Sequence, residues 1–541
     1  MPSGLSRRLF RFKGGVEPDT HKAESSLTPI GKAPLPSRLI LPLHQSVGAC
    51  ATPCVRVGET LLKGQRIGNA DGWISAAVHA PTSGKVVAIE DRPSAHASGL
   101  PTLSVVIEPD GLETWVERAP LDVTARSPDE VRKALRDAGI VGLGGAVFPT
   151  HAKLTAAKST AIDEVVINGA ECEPFMSCDD LLMRERAEDV VRGASIFRDL
   201  LEPKRVLIGI EDNKPEAARA MRRAVEALGF DFEVVVVPTR YPTGAAKQLI
   251  RVLTGKEIPS TRRSPEMGVQ CFNVGTAYSA WRFVALGEPL ISRVVTLTGN
   301  VESAGNWETL IGTPFEEFVA LGRPKPDTER FLMGGPMMGF EIPDLSAPVV
   351  KACNCVIAAS SSLFPPPPPE MPCIRCGACA EACPHELLPF ELYRFSRAQK
   401  FDKAVELSID ECIECGCCAY VCPSRIPLVQ YFRFAKSEID ARRKEKAKAD
   451  ATRARIEQRK AREERLKAEK AERLAAAAVK TSGAGGGDGA DAAKKALIEA
   501  AVERARLQRE AHPPKNPETP ASVEAAEKTP DPAVNPGDAT R

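Results

Sequence analysis

Two stretches of this chain share one cadence: CIRCGACAEACP at residues 373–384 and CIECGCCAYVCP at residues 412–423. Each reads Cys-x-x-Cys-x-x-Cys-x-x-x-Cys-Pro, in a chain of 541 residues that holds only 16 cysteines. Folding a soluble domain does not require such a repeat, so chemistry is its first explanation. The N-terminus, MPSGLSRRLFRFKGG, carries charge but no apolar core and does not read as a secretory signal. No run approaches the roughly 20 apolar residues that cross a bilayer, and Lys351 interrupts even SAPVVKACNCVIAA. The expected compartment is therefore the cytoplasm, where thiols stay reduced. Clustered cysteines in that compartment point to metal.

The cadence is that of a bacterial two-cluster ferredoxin. Three cysteines two residues apart wrap one iron–sulfur cube from a single loop, and the fourth, before proline, is carried off to the other cube. Cys373, Cys376, Cys379 and Cys422 are thus assigned to one [4Fe–4S] centre, and Cys412, Cys415, Cys418 and Cys383 to a second. Gly377 and Gly416 let the loop backbone approach the cluster, while Pro384 and Pro423 stop the loop from continuing as helix. Structural zinc also takes thiolates, but it needs two pairs and gives no reason for eight ligands in two matching sets. Cys417 reads as a non-ligand. The remaining seven, Cys50, Cys54, Cys172, Cys178, Cys271, Cys353 and Cys355, lack ligand spacing and read as buried thiols.

Length suggests roughly three to four domains. Lys+Arg total 72 against Asp+Glu 71, a formal charge of +1, so no global field calls for nucleic acid. Residues 46–110 carry short Val/Ile runs broken by glycine turns, the texture of a small β module. From about 127 to 270 strands alternate with helices, which implies a parallel sheet with right-handed crossovers. SPDEVRKALRDAG predicts a helix capped by Ser127, with Glu130 completing a capping box and Gly139 ending it. DLLMRERAEDVVRGASIFRDLL reads as one helix. Residues 290–345 read as a β-rich unit with one helix, and PPPPP at 365–369 as a stiff spacer. Past residue 440 the chain is polar on every face, a solvated helix or disordered arm, followed by a Gly/Pro/Ala-rich tail.

Two further segments invite a ligand. In GLGGAVFPTHAKL (142–154), Gly142, Gly144 and Gly145 free the backbone to wrap a phosphate, and Lys153 is placed to neutralise it. A packing turn is the alternative, because Val147 replaces the third glycine of the dinucleotide fingerprint and no strand precedes the loop. NGAECEPF (168–175) ends a buried strand, where ligands gather in parallel sheets. Asn168 offers an amide to a polar ring edge, and Glu171 and Glu173 offer acceptors to a ribityl chain or ribose. A solvated acidic turn is the alternative there.

GLGGAVFPTHAKL, NGAECEPF with its following Asp179 and Asp180, RYPTGAAKQL (240–249), FNVGT (272–276), the opening FKGG (12–15) and the twin quartets occur in one order. Together they resemble the RnfC family of the Rnf (Rsx) ion-translocating electron-transport complex, itself similar to the flavin-carrying, NADH-oxidising subunit of respiratory complex I. The likeness runs from about residue 10 to residue 435. The β module, with VRVGET, KGQ and HAPTSGKV, resembles the barrel-sandwich fold of biotinyl and lipoyl carriers. Its modified lysine would align with Trp73, so a docking or spacer role is expected instead. The resemblance implies a non-covalent FMN held by Gly142, Gly144, Gly145 and Lys153, with Asn168, Glu171 and Glu173 nearby and Asn273 on the far side. It implies Phe148 stacking on a nicotinamide or adenine ring, with NADH as substrate. The family usually carries Gly-Gly-Glu-Lys-Gln where this chain has Gly244, Ala245, Ala246, Lys247 and Gln248, which bears on NADH affinity.

The expected architecture is multidomain α/β. An N-terminal segment (1–45) precedes a barrel-sandwich module (46–118), a Rossmann-like α/β FMN/NADH-binding domain (119–270) and a β-grasp-like domain (271–345). A double [4Fe–4S] ferredoxin-type domain (346–438) and a charged helical and disordered tail (439–541) complete it. The expected role is a peripheral subunit, on the cytoplasmic side of the inner membrane, of a complex coupling NADH–ferredoxin electron transfer to ion translocation. Its partners would be integral-membrane and iron–sulfur subunits and a ferredoxin-like acceptor, with no nucleic acid. The alternatives are a soluble flavin/iron–sulfur NADH diaphorase and an electron-relay adaptor without an active flavin.

Overall fold

The computed structural model describes residues 8–156, 160–366 and 368–482, together with 495, 498 and 499. Residues Met1–Arg443 form one compact unit and Lys444–Arg541 a second. At the centre of the first unit, β1 (Glu164–Gly169), β2 (Arg205–Glu211), β3 (Phe232–Val237) and β4 (Val269–Asn273) form a sheet in the order β3-β2-β1-β4, parallel throughout. EVVING and RVLIGIE are almost wholly buried because helices cover both faces. Successive side chains alternate between those faces. Val165, Ile167, Ile208 and Phe272 enter one core with Val190, Val191 and Phe197, while Val166, Leu207 and Cys271 enter another with Leu249 and Leu253.

The helices of this layer are α1 (Pro128–Asp137), α2 (Thr150–Ala156), α3 (Cys178–Glu185), α4 (Ala187–Leu201), α5 (Pro215–Ala227), α6 (Ala246–Thr254) and α7 (Val274–Leu286). The capping box on α1 forms as the sequence requires: Ser127 accepts from the Glu130 amide and Glu130 accepts from the Ser127 amide. The single helix expected across 180–201 is two, because Arg186 leaves helical geometry between α3 and α4. α4 buries Val190, Val191, Ile196 and Phe197, each contributing about 1.5–3 kcal/mol through loss of water contact. Phe197 stacks on Phe272 of β4 with ring centroids 4.1 Å apart.

The barrel-sandwich module pairs Leu39–Pro42, Pro101–Pro109, Gly84–Pro93 and Thr60–Leu61 in one sheet and Thr52–Pro53, Arg66–Asn69 and Val78–His79 in another. Trp73 lies between the last two strands, and its carbonyl accepts from His151 of α2 at 2.9 Å. The position that would carry a prosthetic group in a carrier domain meets α2 here, through this bond and an edge-on contact of the Trp73 and His151 rings with centroids 5.3 Å apart.

Two expected domain edges move. Asn273 and α7 belong with the parallel sheet, since β4 pairs with β1 and α7 lies against α4. The β unit beyond it is a six-stranded sheet that recruits Gly31–Lys32 from the N-terminal segment at one edge and Cys355–Ala359 as an inner strand. Sequence alone missed both because the first strand is two residues long and the other lies past the apparent end of the unit. Cys178, Cys271, Cys353 and Cys355 are buried as expected, but Cys50 and Cys54 are exposed. In the second unit, the described residues to Ser482 are helical, part of a helix spanning Leu428–Ser482. Most of the Gly/Pro/Ala-rich tail and residue 367 of the proline run lie outside the described residues. Among the described residues no helix is long and apolar enough to cross a membrane.

The α4–α7 contact has an obligatory glycine. A Cβ on Gly193 would stand 1.9 Å from the Ala277 carbonyl oxygen, with backbone on both sides and no side chain able to yield. Gly193→Ala is expected to destabilise the α/β layer by about 1–3 kcal/mol through overpacking. Urea-dependent limited proteolysis should show the fall, and unchanged resistance would displace the helix contact described here.

Candidate flavin and iron–sulfur sites

The glycine-rich loop is closed at its base by Gly142 N donating to the Phe148 carbonyl at 2.9 Å. Leu143 N donates to Thr276 Oγ1 at 2.9 Å, which pins the loop to the first turn of α7. Gly144, Gly145 and Ala146 at the tip are exposed. Gly145 adopts φ 107°, with nothing within 4 Å of where a Cβ would be, so the backbone stands open. A Cβ on Gly144 would touch Asn273 at 3.4 Å, setting the loop tip beside the carboxyl end of β4. Phe148 is half-buried behind that tip. Lys153 is not free over the loop. Its ammonium donates to the Cys271 carbonyl at 3.1 Å, and burial lowers its pKa.

Asn273 is the hub on this side. Its Oδ1 caps α7 by accepting from Gly275 N at 2.8 Å, and its Nδ2 donates to Asp179 Oδ2 at 2.6 Å. Asp179 and Asp180 in turn donate their amides to the two oxygens of Glu171, at 2.7 and 3.3 Å. Glu171 thereby occupies the positive end of α3. The Asp179 carboxyl is pushed up to about 7 by loss of solvent and by the neighbouring Glu171 carboxylate. Asn168, ending β1, donates to the Gly244 carbonyl at 2.8 Å and accepts from Ala170 N at 3.1 Å. The structure thus brings Gly144, Asn273, Glu171 and Asn168 to the carboxyl end of the parallel sheet, where doubly wound folds bind ligands.

Glu173 departs from its expected place among the cofactor contacts. Its carboxylate is buried and accepts from Met337 N at 2.7 Å and Met338 N at 3.1 Å, and burial raises its pKa. It anchors the MGGPMMGF turn, where a Cβ on Gly335 would collide with its side chain. An acidic residue next to a strand end gives no sign in the sequence of which neighbour it will face. Two lysines were also illegible. Lys22 donates to the carbonyls of Glu171, Glu173 and Met176 at 2.6–2.9 Å, and Lys214 donates to the Ala170 carbonyl at 2.7 Å. The NGAECEPF turn is therefore held by two cations reached from distant sequence. Nothing around an isolated lysine announces that.

The two cysteine sets surround two separate cavities. Cys383, Cys412, Cys415 and Cys418 line one, with Cys417, Pro384, Leu392, Val429 and Phe432. Cys373, Cys376, Cys379 and Cys422 line the other, with Phe390, Tyr393, Ile426 and Leu428. In each, the fourth thiol comes from the other quartet, and the walls are largely apolar. Four convergent thiols in a dry pocket suit a thiolate-bound cube, whose metal offsets the burial that otherwise raises the pKa of Cys383, Cys412 and Cys418. Cys417 hydrogen-bonds Cys415 and lowers its pKa.

The first cavity is the inner one. Tyr241 Oη donates to the Cys415 carbonyl at 2.6 Å, and Gln248 of α6 reaches the Pro384 carbonyl at 3.4 Å. Lys247 pairs with Glu411 at 3.0 Å. Cys415 and Cys418 are buried, whereas Cys373 and Cys376 of the outer cavity are exposed.

A family model for the RnfC barrel sandwich hybrid domain matches residues 10–112, one for the Nuo51 FMN-binding domain matches 135–282, and one for a 4Fe-4S dicluster domain matches 372–426. The RnfC protein of the ion-translocating oxidoreductase complex of Pseudomonas aeruginosa is 49% identical over 469 residues, 85% of this chain and 60% of that protein. The proteins of the same name from Serratia proteamaculans and Pectobacterium atrosepticum are 45% and 44% identical, covering 87% and 93% of this chain and 67% and 71% of theirs. The chain therefore spans about 60% of the length of the Pseudomonas relative. Among solved structures, the NAD+-reducing [NiFe]-hydrogenase in the H2-reduced state aligns with a TM-score of 0.42 at 18% identity, over 56% of this chain and 61% of that one. With an FMN-binding domain and a 4Fe–4S dicluster domain on one chain, this protein belongs to the RnfC family of ion-translocating oxidoreductase complexes.

Proposed function

We propose that the chain is the electron-carrying peripheral subunit of an ion-translocating oxidoreductase complex, passing electrons between NADH and a ferredoxin-type acceptor on the cytoplasmic face of the inner membrane. The observation that carries this reading is the order of the sites. The glycine loop and the carboxyl end of the parallel sheet connect through the Tyr241–Gly244 turn to the inner thiol cavity, and the outer cavity reaches solvent. Integral-membrane and iron–sulfur subunits of the same complex would be its partners.

In this reading the exposed Gly144–Gly145 backbone receives the FMN phosphate, and Asn273, Asn168 and Glu171 fix the flavin's polar edge. Phe148 is left for the nicotinamide nucleotide. FMN, when bound, supplies the conversion between a two-electron donor and one-electron carriers. The chain's own residues orient it and shape its surroundings. Asp179, with a carboxyl near neutrality and a hydrogen bond to Asn273, is a proton-holding group at this rim. Cys412, Cys415, Cys418 and Cys383 would hold the inner cluster, and Cys373, Cys376, Cys379 and Cys422 the outer one.

Four outcomes test these assignments. Purified without oxygen, the full chain should carry about eight iron atoms. Cys383→Ser should halve that by removing the cluster of Cys412, Cys415 and Cys418, leaving the electron paramagnetic resonance signal of the outer cluster. Loss of the outer signal instead would overturn the crossed ligation.

Gly144→Val should keep the brown iron–sulfur absorbance and lose FMN, because the branched side chain presses on Asn273 and fills the loop's open side. Flavin fluorescence after denaturation reads this directly, and full occupancy would remove the loop from the site. Ala246, the first residue of α6, stands where the family usually carries glutamate. Ala246→Glu should tighten NADH by about 0.5–1.5 kcal/mol, the worth of one added hydrogen bond, with flavin content unchanged. Equilibrium titration against NADH-dependent bleaching checks it, and an unaltered midpoint would place the nucleotide elsewhere.

A further inference from the structure

Between the second and third ligands of each quartet the two loops share a backbone and differ in a side chain. Cys376-Gly377-Ala378-Cys379 and Cys415-Gly416-Cys417-Cys418 have φ of 84° at Gly377 and 81° at Gly416, and a short helix begins at Ala378 and at Cys417. Cys417 lines the inner cavity with the four ligand thiols, and its side chain hydrogen-bonds that of Cys415. Ala378 brings no side-chain donor to the corresponding place. Cys417 is 0% exposed and packs among Val16, Tyr241, Ala382 and Met337. Solvent therefore does not compete for its S–H. A cube has four irons, and Cys383, Cys412, Cys415 and Cys418 supply one thiolate to each, so a fifth thiol is left for another task.

We propose that Cys417 sets the reduction potential of the inner cluster, its S–H donating to the Cys415 sulfur and raising that potential toward the outer cluster's. The inference rests on the iron–sulfur reading above and adds a positioning residue to it. A sulfur bound to iron carries no proton, so in this pair Cys417 is the donor. Reduction adds one negative charge, shared between the irons and their sulfurs. An S–H aimed at a ligand sulfur is held more tightly in that state, which favours it. Without this bond the two sites would be unequal. Cys415 and Cys418 are buried, with Leu392, Val429 and Phe432 in the cavity wall, whereas Cys373 and Cys376 are exposed. Exclusion of solvent disfavours the added charge at the inner site. The Cys417 bond opposes that penalty, so burial beside the flavin domain does not bar an electron from entering. One electron is shared between two centres, no covalent bond is made or broken, and the proton stays on Cys417 throughout.

The test is a redox titration of the full chain carrying both clusters, followed by electron paramagnetic resonance. The outer cluster serves as a reference within the same molecule. Cys417→Ala makes the inner loop match the outer one, and Cys417→Val fills the space without a donor. Each should move the electron's preference roughly tenfold from the inner cluster toward the outer, a fall of about 60 mV in the inner midpoint. Cys417→Ser keeps a donor and should leave that preference within about twofold of wild type. The sign separates a lost hydrogen bond from simple disturbance, because water entering a gap would raise the midpoint. Reduced-minus-oxidised infrared spectra should show an S–H stretch that shifts on reduction and is missing from Cys417→Ala. An inner midpoint unchanged or raised in the alanine or valine variant, a serine variant that falls as far as valine, or absence of that S–H band would each overturn the proposal. Iron content keeps this apart from a failed ligand assignment. Wild type short of about eight irons refutes the ligands. A loaded wild type whose alanine and valine variants hold only about four makes Cys417 itself a ligand, and about eight in all with equal midpoints refutes the tuning role alone.

Discussion

A single buried hydroxyl ties the redox parts of this molecule together. Tyr241 Oη donates to the Cys415 carbonyl, while the Tyr241 backbone pairs with Val16 in both directions, at 2.8 and 2.9 Å. Val16 follows Gly15, whose amide donates to the Ala382 carbonyl at 2.9 Å. The α/β layer, the N-terminal segment and the inner cysteine loops therefore meet around one side chain. Such a bond contributes only about 0.5–1.5 kcal/mol net, but leaving its buried partner unsatisfied costs about 1–3. The tie matters more for position than for stability, because electron transfer weakens steeply as the distance between centres grows. Backbone crowding reinforces it: a Cβ on Gly14 would meet the Cys383 carbonyl at 2.5 Å. The FKGG opening is a strap drawn against the inner ligand loop.

The flavin side is organised by charges aimed at backbone. Lys22 and Lys214 point at carbonyls of the NGAECEPF turn, and Glu171 and Glu173 point at amides. Each charged group satisfies several backbone dipoles at once and is not free to swing, so the site's polarity is fixed before a ligand arrives. Burial and Lys214 lower the pKa of Lys22, and burial and Glu171 raise that of Asp179, so both groups carry an electrostatic cost. Such perturbed groups concentrate at functional sites, and the cost is met by the surrounding core.

What the sequence disclosed followed from periodicity and spacing. The cysteine cadence depends on short-range loop geometry, and the unbroken apolar runs of EVVING and RVLIGIE depend on burial of both faces, so both were legible in a single pass. The cap at Ser127 was legible because its partner sits three residues away. What escaped was long-range. Glu173 finds its partners at Met337 and Met338, Lys22 finds Glu171, and Gly31–Lys32 pairs with Trp307–Glu308. Local pattern carries no information about such partners, because each could have been satisfied by water. The break at Arg186 was hidden for a different reason: the helical pattern of the sequence continues through it, while the Arg186 backbone leaves helical geometry between α3 and α4.

The twin quartets make the same point in reverse, since near-identical sequence meets unlike surroundings. Gly377 and Gly416 hold corresponding places, with φ of 84° and 81° at the start of the short helices Ala378–Glu381 and Cys417–Tyr420. A Cβ on Gly377 would meet nothing within 4 Å, whereas one on Gly416 would strike the Met337 carbonyl at 2.5 Å. The MGGPMMGF turn, itself held by Glu173, therefore closes over the second loop and leaves the first open. The repeat supplies two equivalent ligand sets, and the β unit makes them inequivalent, sheltering one beside the flavin domain and leaving the other at the surface. A path with a protected end and an exposed end arises from where one turn was laid, with no difference in the ligands themselves.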